Sequence, residues 1–348
     1  SWVPSLKGCP QDAIHHAEGD VWIHTRMVAE AMAANPVWRA LPEADRALVY
    51  SAALLHDISK PDTTRTEPDG RITAKGHSKK GEVATRALLW ELGVPFKVRE
   101  EICGLIRFHQ IPFFLIERDD AQRVAAQVSQ VVRCHLLGML TDADGRGRVC
   151  HDQDKLLTNI ELFRAYCEEQ GCLSTPRRFG NDHSRVQYFR TDGRDPDYVA
   201  FDDTTCEVVM MCGLPGSGKD TWIARNKGDQ PIVSLDDLRK DLDVEPGGPQ
   251  GEVIQAAQEQ CREHLRARRS FIFNATNLTR EIRGLWLNLF VAYKARVRVV
   301  YVEVPFEKQQ QQNREREARV PDNVIRRMLS KWELPDLTEV HQIDYILG

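Results

Sequence analysis

The fold of the second half of this 348-residue chain follows from one stretch, Glu207-Val-Val-Met-Met-Cys-Gly-Leu-Pro-Gly-Ser-Gly-Lys219. It opens with a short apolar run, which predicts a buried β-strand. The strand leads into Gly213-Leu214-Pro215-Gly216-Ser217-Gly218-Lys219, which fits G-x-x-x-x-G-K before a predicted helix. The glycines let backbone N–H groups converge on a phosphate, and the helix N-terminus favours negative charge. We therefore predict an ATP-binding P-loop in which Lys219 reaches the β- and γ-phosphates.

One position departs from this motif. Asp220 stands where Ser or Thr normally binds Mg²⁺, and Thr221 follows it. The sequence leaves three candidates for that ligand place: Asp220, Thr221 or a water molecule. ATP and Mg²⁺ are the expected cofactors of this half.

The rest of the second half alternates between apolar runs and helical patterns. Further strands are predicted at Pro231–Ser234, Ser270–Asn274 and Val297–Val304, with helices over Gln250–Arg269 and Thr279–Tyr293. This alternation predicts an α/β domain with a parallel sheet over residues 206–348.

The first half has a different pattern. Apolar residues recur at three- and four-residue spacing in Val83–Leu92 and Val124–Leu140, which predicts an all-α domain over residues 1–170. Residues 171–205 are rich in Pro, Gly, Asn and Asp, and we predict a linker or surface excursion there.

Composition limits the functional classes. No apolar run reaches the roughly 18–20 residues of a membrane helix, and the nine cysteines have no paired spacing. These features favour reduced thiols and a cytoplasmic protein without a membrane partner. The net charge is −4, which argues against a broad basic footprint and favours contact with a short stretch such as a strand end.

Two charged segments lie near the expected phosphate site. Asp236 and Arg239 follow the second strand, where a carboxylate can accept a proton from a hydroxyl and an arginine can hold a phosphate. Asp236 as a plain helix cap is the alternative. Arg314 and Arg316 precede Val320-Pro321 in a helical stretch, where arginines suit a transferring phosphoryl group or simply a solvated surface.

Together these segments resemble the 5′-OH polynucleotide kinase family. The resemblance implies that Asp236 is the general base, that Arg239 grips the acceptor phosphate, and that Arg314 or Arg316 is the lid arginine on ATP. Both lid candidates stay open.

The first half holds an ordered set of polar residues. Their types suit a divalent transition metal with open positions for water, which such an ion activates near neutral pH. The members are His24, His56, Asp57, His77, His109 and Asp142, with Asp144 as a rival for Asp142. The other histidines of this half, His15, His16, His135 and His151, and His183 beyond it, are interpreted as caps or surface residues.

This order is similar to the HD metal-dependent phosphohydrolase superfamily. The resemblance implies one or two metal ions, with Asp57 bridging them, and Lys60 and Arg146 steadying the phosphate. An HD domain before a polynucleotide kinase resembles the bacterial HD–polynucleotide kinase end-healing family. That family removes 2′,3′-cyclic, 2′- or 3′-phosphates and phosphorylates 5′-OH ends of RNA, and here also of DNA by extension, for a separate ligase. A nucleoside kinase fused to a nucleotide phosphohydrolase is the alternative.

Overall fold

The computed structural model describes residues 2–316 and 318–348, and these form two compact units. The first extends to Arg178 and the second spans Phe179–Gly348. Within the described residues, no helix combines the length and apolar character that crossing a membrane requires.

The first unit is built almost entirely from helices, as predicted. They are α1 (Val3–Leu6), α2 (Val21–Ala34), α3 (Pro36–Arg39), α4 (Glu43–Leu55), α5 (Lys60–Thr63), α6 (His77–Glu91), α7 (Phe96–Phe108), α8 (Ile111–Phe114), α9 (Ala121–Ser129), α10 (Cys134–Arg146) and α11 (Gln153–Glu169). A 3₁₀ turn covers Leu115–Glu117, and a small antiparallel hairpin, which the sequence pattern did not predict, joins β1 (Arg65–Thr66) to β2 (Ile72–Thr73).

Four of these helices enclose the core of the first unit. α4 and α10 both pack on α2, and α7 packs on α4. Their apolar faces bury residues such as Val28, Val49, Leu105 and Leu136 completely. Burying side chains of this size stabilises the fold by about 1.5–3 kcal/mol each. The helices therefore form a rigid frame for the polar residues at their ends.

The second unit is an α/β domain with one parallel sheet, which confirms the predicted fold class. Its elements are α12 (Asp182–Arg190), β3 (Cys206–Cys212), α13 (Lys219–Asn226), β4 (Ile232–Ser234), α14 (Leu235–Asp241), α15 (Gly251–Arg266), β5 (Phe271–Asn274), α16 (Arg280–Ala292), β6 (Ala295–Glu303), α17 (Phe306–Glu315), α18 (Asp322–Leu329) and β7 (Gln342–Leu347). The strand order is β4-β5-β3-β6-β7, and every neighbouring pair is parallel. The edge strand β7 was not predicted.

The segment over residues 171–205 differs from the predicted linker. It contains α12, which begins at the cap Asn181, and the side chain of Arg185 donates to the carbonyl oxygens of Leu337 (2.9 Å) and His341 (2.6 Å). The Asn and Asp residues that indicated a loop are in part the capping residues of this helix. From Phe179 onward the segment therefore belongs to the second unit.

Candidate functional sites

Five of the six predicted metal ligands come together in the first unit. His24 lies inside α2, His56 ends α4, His77 begins α6, and His109 ends α7, while Asp57 follows His56 in the turn. All five are buried. The adjacent pair His56-Asp57 therefore lies at a helix end and not within a helix, and the turn directs both side chains inward.

The four histidines present the same ring nitrogen to the centre of this cluster. Nδ1 of His56, His77 and His109 lies 2.8, 2.8 and 2.7 Å from the carbonyl oxygen three residues earlier. A carbonyl accepts only, so Nδ1 carries the proton and Nε2 keeps its lone pair. Nε2 of His56 lies 3.4 Å from that of His24, and Nε2 of His77 lies 3.3 Å from that of His109. Facing lone pairs at these distances repel each other unless a cation or a shared proton lies between them.

Asp57 lies between the two histidine pairs. Its Oδ2 is 3.2 Å from His56 Nε2, and its Oδ1 is 3.4 Å from His77 Nε2. Both oxygens are fully buried and accept no well-directed hydrogen bond. The Lys60 ammonium lies 2.8 Å from Oδ2, and a buried carboxylate is stabilised by such pairing or by coordinating a metal. The cluster thus fits two ions that share Asp57, one beside His24 and His56 and one beside His77 and His109.

Burial keeps two of these imidazoles, those of His77 and His109, in the form that binds metal. It lowers the pKa of His109 to about 3 and lowers the pKa of His77. Neutral imidazole is the ligand form, so these two side chains need not lose a proton at neutral pH.

The sixth predicted ligand, Asp142, does not join this cluster, whereas its rival Asp144 does. Asp144 Oδ1 lies 3.1 Å from His24 Nε2, and Asp144 belongs to the same cluster as His24 and His56. Asp142 instead accepts hydrogen bonds from Arg146 at 2.9 and 3.3 Å. Residues two apart on a helix point to nearly opposite sides, so only one of these carboxylates can face His24.

Because Asp144 and not Asp142 lies in the cluster, the arginine beside the cluster is Arg148 and not the predicted Arg146. The Arg146 side chain is 55% exposed and forms its ion pair with Asp142, which lies outside the cluster. Arg148 is buried and binds both oxygens of Asp144 at 3.0 and 2.8 Å. Lys60 lies beside the cluster: its Nζ is 2.8 Å from Asp57 Oδ2 and donates to Gln11 Oε1 at 2.6 Å.

Sequence reasoning missed Glu18 and placed His16 in the wrong class. Glu18 Oε1 lies 2.9 Å from His24 Nδ1 and 2.8 Å from His16 Nδ1, while Oε2 accepts the N–H of Val149 at 2.8 Å. These bonds hold the pKa of Glu18 well below its usual range despite burial. A carboxylate on the outer nitrogen of a metal-binding histidine fixes its tautomer and orientation. The only local signal was the His16-x-Glu18 spacing before α2.

We expect Glu18→Gln to weaken metal binding by about 10- to 100-fold, the usual effect of losing such an outer partner. The neutral amide keeps the shape of Glu18 but no longer attracts the proton on His24 Nδ1. Competition with a chromophoric chelator measures the dissociation constant directly. An unchanged constant would mean that Gly147 O, 3.2 Å from His24 Nδ1, orients the ring alone.

The second site is the loop between β3 and α13. Gly213 has φ 147°, and a Cβ on it would lie 2.3 Å from the carbonyl oxygen of Val302. Gly216 has φ 75°, and a Cβ on it would lie 3.1 Å from the backbone nitrogen of Asn313. Any other residue at either position would strain the loop. Ser217 Oγ is buried without a hydrogen-bond partner, so it is free for a ligand oxygen.

Lys219 begins α13 and points back over the loop. Its Nζ donates to the carbonyl oxygens of Gly213 and Leu214, both at 2.9 Å. Removal from water lowers the pKa of Lys219 to about 8, and the positive charge of Arg316 adds to this effect. The ammonium is still protonated at neutral pH and can pair with phosphate oxygens. Pro215 and Gly218 complete the cradle: Pro215 O accepts Gln309 Nε2 at 2.7 Å, and Gly218 precedes α13.

Asp220 faces the end of a neighbouring strand. Its Oδ1 accepts a hydrogen bond from Asn274 Nδ2 at 3.0 Å, and Thr221 beside it is exposed. We expect Asp220→Ser to change ATP turnover by less than about threefold, the scale of a typical surface substitution. Steady-state ATP hydrolysis and transfer assays with Mg²⁺ would measure it. A much larger loss would identify the Asp220 carboxylate as the Mg²⁺ ligand.

Asp236 is not the cap of α14. Ser234 is the cap, and its Oγ accepts the N–H of Asp237 at 3.2 Å. The Asp236 side chain is 72% exposed and forms an ion pair with Arg239, whose Nε also donates to Gln250 Oε1 at 2.7 Å. The pair stands just beyond the carboxyl end of β4, where parallel sheets place their ligands. The cap alternative is therefore wrong for Asp236.

The two lid arginines differ in position. Arg314 is exposed near the end of α17, whereas Arg316 follows the helix and lies near enough for its charge to act on Lys219. Asn313 ties the following chain back, since its side chain exchanges hydrogen bonds with Val320 at 2.8 and 3.1 Å. This geometry favours Arg316 over Arg314 as the arginine facing the P-loop.

Two protein-family models match separate ranges of the chain. Residues 20–147 match the model described as an HD domain, and residues 208–335 match the model described as an AAA domain. The helical unit therefore contains a region similar to HD domains, and the α/β unit contains a region similar to AAA domains.

Similar proteins cover only parts of this chain. It is 35% identical over 105 residues to a CC-adding tRNA nucleotidyltransferase from Thermus thermophilus, which covers 30% of this chain and 22% of that protein. It is 32% identical to an A-adding tRNA nucleotidyltransferase from Deinococcus radiodurans, over 52% of this chain and 41% of that one. An L-seryl-tRNA(Sec) kinase from Methanococcus maripaludis is 24% identical over 40% of this chain and 61% of its own. The chain thus spans less than two thirds of each relative.

Among solved structures, a sugar kinase from Janibacter sp. is similar at 19% identity. The aligned region covers 41% of this chain and 85% of the sugar kinase chain, with a TM-score of 0.33.

Proposed function

We propose that this protein repairs both ends of a broken nucleic-acid strand. The P-loop domain phosphorylates the 5′-OH end with ATP. The HD domain removes the 2′,3′-cyclic, 2′- or 3′-phosphate from the other end. RNA is the first candidate substrate and DNA the second, and the healed ends pass to a separate ligase.

The observation that carries the proposal is the ion pair between the exposed Asp236 and the half-buried Arg239. A small-alcohol kinase needs a base, but it does not need an arginine three residues away to hold a second phosphate. A nucleotide at a strand end carries such a phosphate on its 3′ side. The names of the three relatives reported above all refer to tRNA, which supports RNA over a free metabolite.

At the P-loop, the chain's own groups position ATP and the acceptor and neutralise the charge of their phosphates. The backbone N–H groups and Lys219 hold the β- and γ-phosphates, while Arg239 holds the acceptor's 3′-phosphate. Asp236 accepts the proton as the 5′-oxygen bonds to the γ-phosphorus and the bond from phosphorus to ADP breaks. Arg316 supplies positive charge for the transferring group.

At the HD site, the side chains would hold the metal ions and orient the substrate phosphate. Divalent metal ions held by this cluster would supply charge neutralisation and an activated water for hydrolysis. His24, His56 and Asp144 would hold one ion and His77 with His109 the other, with Asp57 between them. Lys60 lies at the same carboxylate, where its ammonium can bind a phosphate oxygen of the substrate.

A short single-stranded RNA with a 5′-OH and a 2′,3′-cyclic phosphate tests the proposal. It is incubated with the protein, ATP, Mg²⁺ and a panel of divalent transition metals, and both ends are analysed by mass spectrometry. Gain of a 5′-phosphate with loss of the 3′-end phosphate is the expected result. Phosphorylation of nucleosides alone, with the RNA unchanged, would replace the proposal with the nucleoside kinase alternative.

A further inference from the structure

Three buried cysteines converge in the first unit, outside the site described above. Cys134 is the first residue of α10, Cys167 lies in the last turn of α11, and Cys172 lies in the loop that leaves α11. All three residues are at most 1% exposed. Their sulfur atoms lie within 4.8 Å of one another. We call this group the thiol triad.

Backbone hydrogen bonds fix the positions of the triad. The N–H of Cys172 donates to the carbonyl oxygen of Cys167 at 2.8 Å, which closes the end of α11. The N–H of His135 donates to the carbonyl oxygen of Leu173, also at 2.8 Å, which ties the same loop to the start of α10. The three sulfur atoms are therefore brought together by regular backbone structure and not by one flexible side chain.

Simple apolar packing is the competing explanation, since a free cysteine behaves as a small hydrophobic residue. Cys103 in α7 is an example, buried completely but outside the triad. In the triad, by contrast, three buried sulfur atoms from two helices and a loop lie within 4.8 Å of one another. Apolar packing does not require three thiols to converge on one point, whereas metal binding does.

We propose that Cys134, Cys167 and Cys172 form a three-thiolate site for a soft divalent metal ion, with Zn²⁺ as the physiological candidate. Thiolates select such ions. Zinc–sulfur bonds of about 2.3 Å place the sulfur atoms of a tetrahedral site about 3.8 Å apart, which the triad accommodates. Three sulfur–metal bonds form, the thiol protons leave to solvent, and no electron is transferred.

The charges near the triad also favour a divalent ion. A divalent cation with three thiolates leaves one net negative charge, which is costly in an apolar core unless it is paired. The positive charge of Arg177, which already acts on Cys172, offsets it. The bound ion would fasten the start of α10 to the end of α11. Because α10 also carries Asp144, the bound ion would steady a helix that contributes to the histidine–aspartate cluster described above.

Titration of the reduced, chelator-stripped full chain with CdCl₂ tests this proposal. Cadmium bound to thiolate gives an ultraviolet charge-transfer band, and the HD cluster contains no sulfur, so the band reports thiol sites alone. Cys167→Ala removes one triad member, and Cys103→Ala is the matched control at an equally buried thiol. Wild type and Cys103→Ala should show a thiolate band that rises to a plateau, with a rise in Tm on the order of 5 °C. Cys167→Ala should lose the band and only part of the rise in Tm, because ions bound by the histidine–aspartate cluster still stabilise the chain.

Two results would overturn the proposal: no band in folded wild-type protein, or an undiminished band in Cys167→Ala. Circular dichroism verifies folding, and Cys172→Ala in the loop serves if Cys167→Ala does not fold. Zinc-edge X-ray absorption of the zinc-loaded wild type needs no variant. It should show sulfur neighbours at about 2.3 Å, and a shell of only nitrogen and oxygen would refute the site.

Discussion

Asp57→Asn should lower the phosphohydrolase rate by at least about 100-fold, because even outer partners of metal ligands are worth about 10- to 100-fold. Asp57 lies between the two histidine pairs, with 3.2 Å to His56 Nε2 and 3.4 Å to His77 Nε2. The amide removes one negative charge and turns one oxygen into a donor. Release of the 3′-end phosphate from RNA measures the rate, and metal content of the same sample should fall in parallel.

The kinase reaction of the same preparation is the internal control. Its groups lie in the other compact unit, so 5′-phosphorylation should stay within about threefold of wild type. Equal loss of both activities would contradict two independent sites. This assay also separates a damaged metal site from general unfolding, which would lower both rates.

Asp142→Asn and Asp144→Asn form a matched pair on α10. Asp144 lies 3.1 Å from His24 Nε2, so its amide variant should behave like Asp57→Asn. Asp142 binds Arg146, a half-exposed arginine, so its amide variant should keep most of the phosphohydrolase activity. The reverse order would restore Asp142 as the metal ligand and would show that α10 is rotated from the orientation described here.

This pair of aspartates shows where sequence reasoning stops. The order of histidines and aspartates marks the site, because chemistry fixes the residue types. It does not fix the rotation of α10, which depends on how that helix packs against α2. Gly147 decides this contact: a Cβ there would lie 2.6 Å from the side chain of Val28. Such a close approach joins residues far apart in sequence, and spacing cannot reveal it.

The second unit shows the same division. The β3–loop–α13 arrangement is local, so its apolar run and glycines predict it directly. β7 was missed because it lies at the sheet edge with mostly exposed or half-exposed side chains. Its pairing partner, β6, ends 39 residues earlier along the chain, as Glu303 and Gln342 show. Glu18 was missed for a similar reason, since its contact with Val149, which is distant in sequence, forms only in the folded chain.

Asp236→Asn should lower 5′-phosphorylation by about 10²- to 10⁴-fold, the usual contribution of a general base. Asp236 is 72% exposed, so its replacement should change the free energy of unfolding by no more than about 0.5 kcal/mol. The KM for ATP should stay near the wild-type value, because Asp236 takes the acceptor's proton and does not hold the nucleotide. Phosphohydrolase activity should be unaffected.

Asp237→Asn is the matched control beside it. The structure ties Asp237 to the helix cap through its backbone N–H, and that bond survives the substitution. Its kinase rate should therefore remain close to wild type. If Asp236→Asn retained full activity, or if both variants lost activity equally, Asp236 would be no more than a surface charge that stabilises α14.

Arg239→Ala then distinguishes the two kinase substrates. A 3′-phosphorylated nucleoside and the same nucleoside without that phosphate are compared as acceptors of the γ-phosphoryl group. Loss of a charge-assisted contact should raise KM for the first acceptor by about 10-fold or more, from roughly 1.5–3 kcal/mol, and leave the second unchanged. Because Arg239 also pairs with Asp236, any common loss of kcat for both acceptors measures its effect on the base. Equal KM changes for the two acceptors would mean that Arg239 does not grip a strand-end phosphate, and the nucleoside kinase alternative would stand.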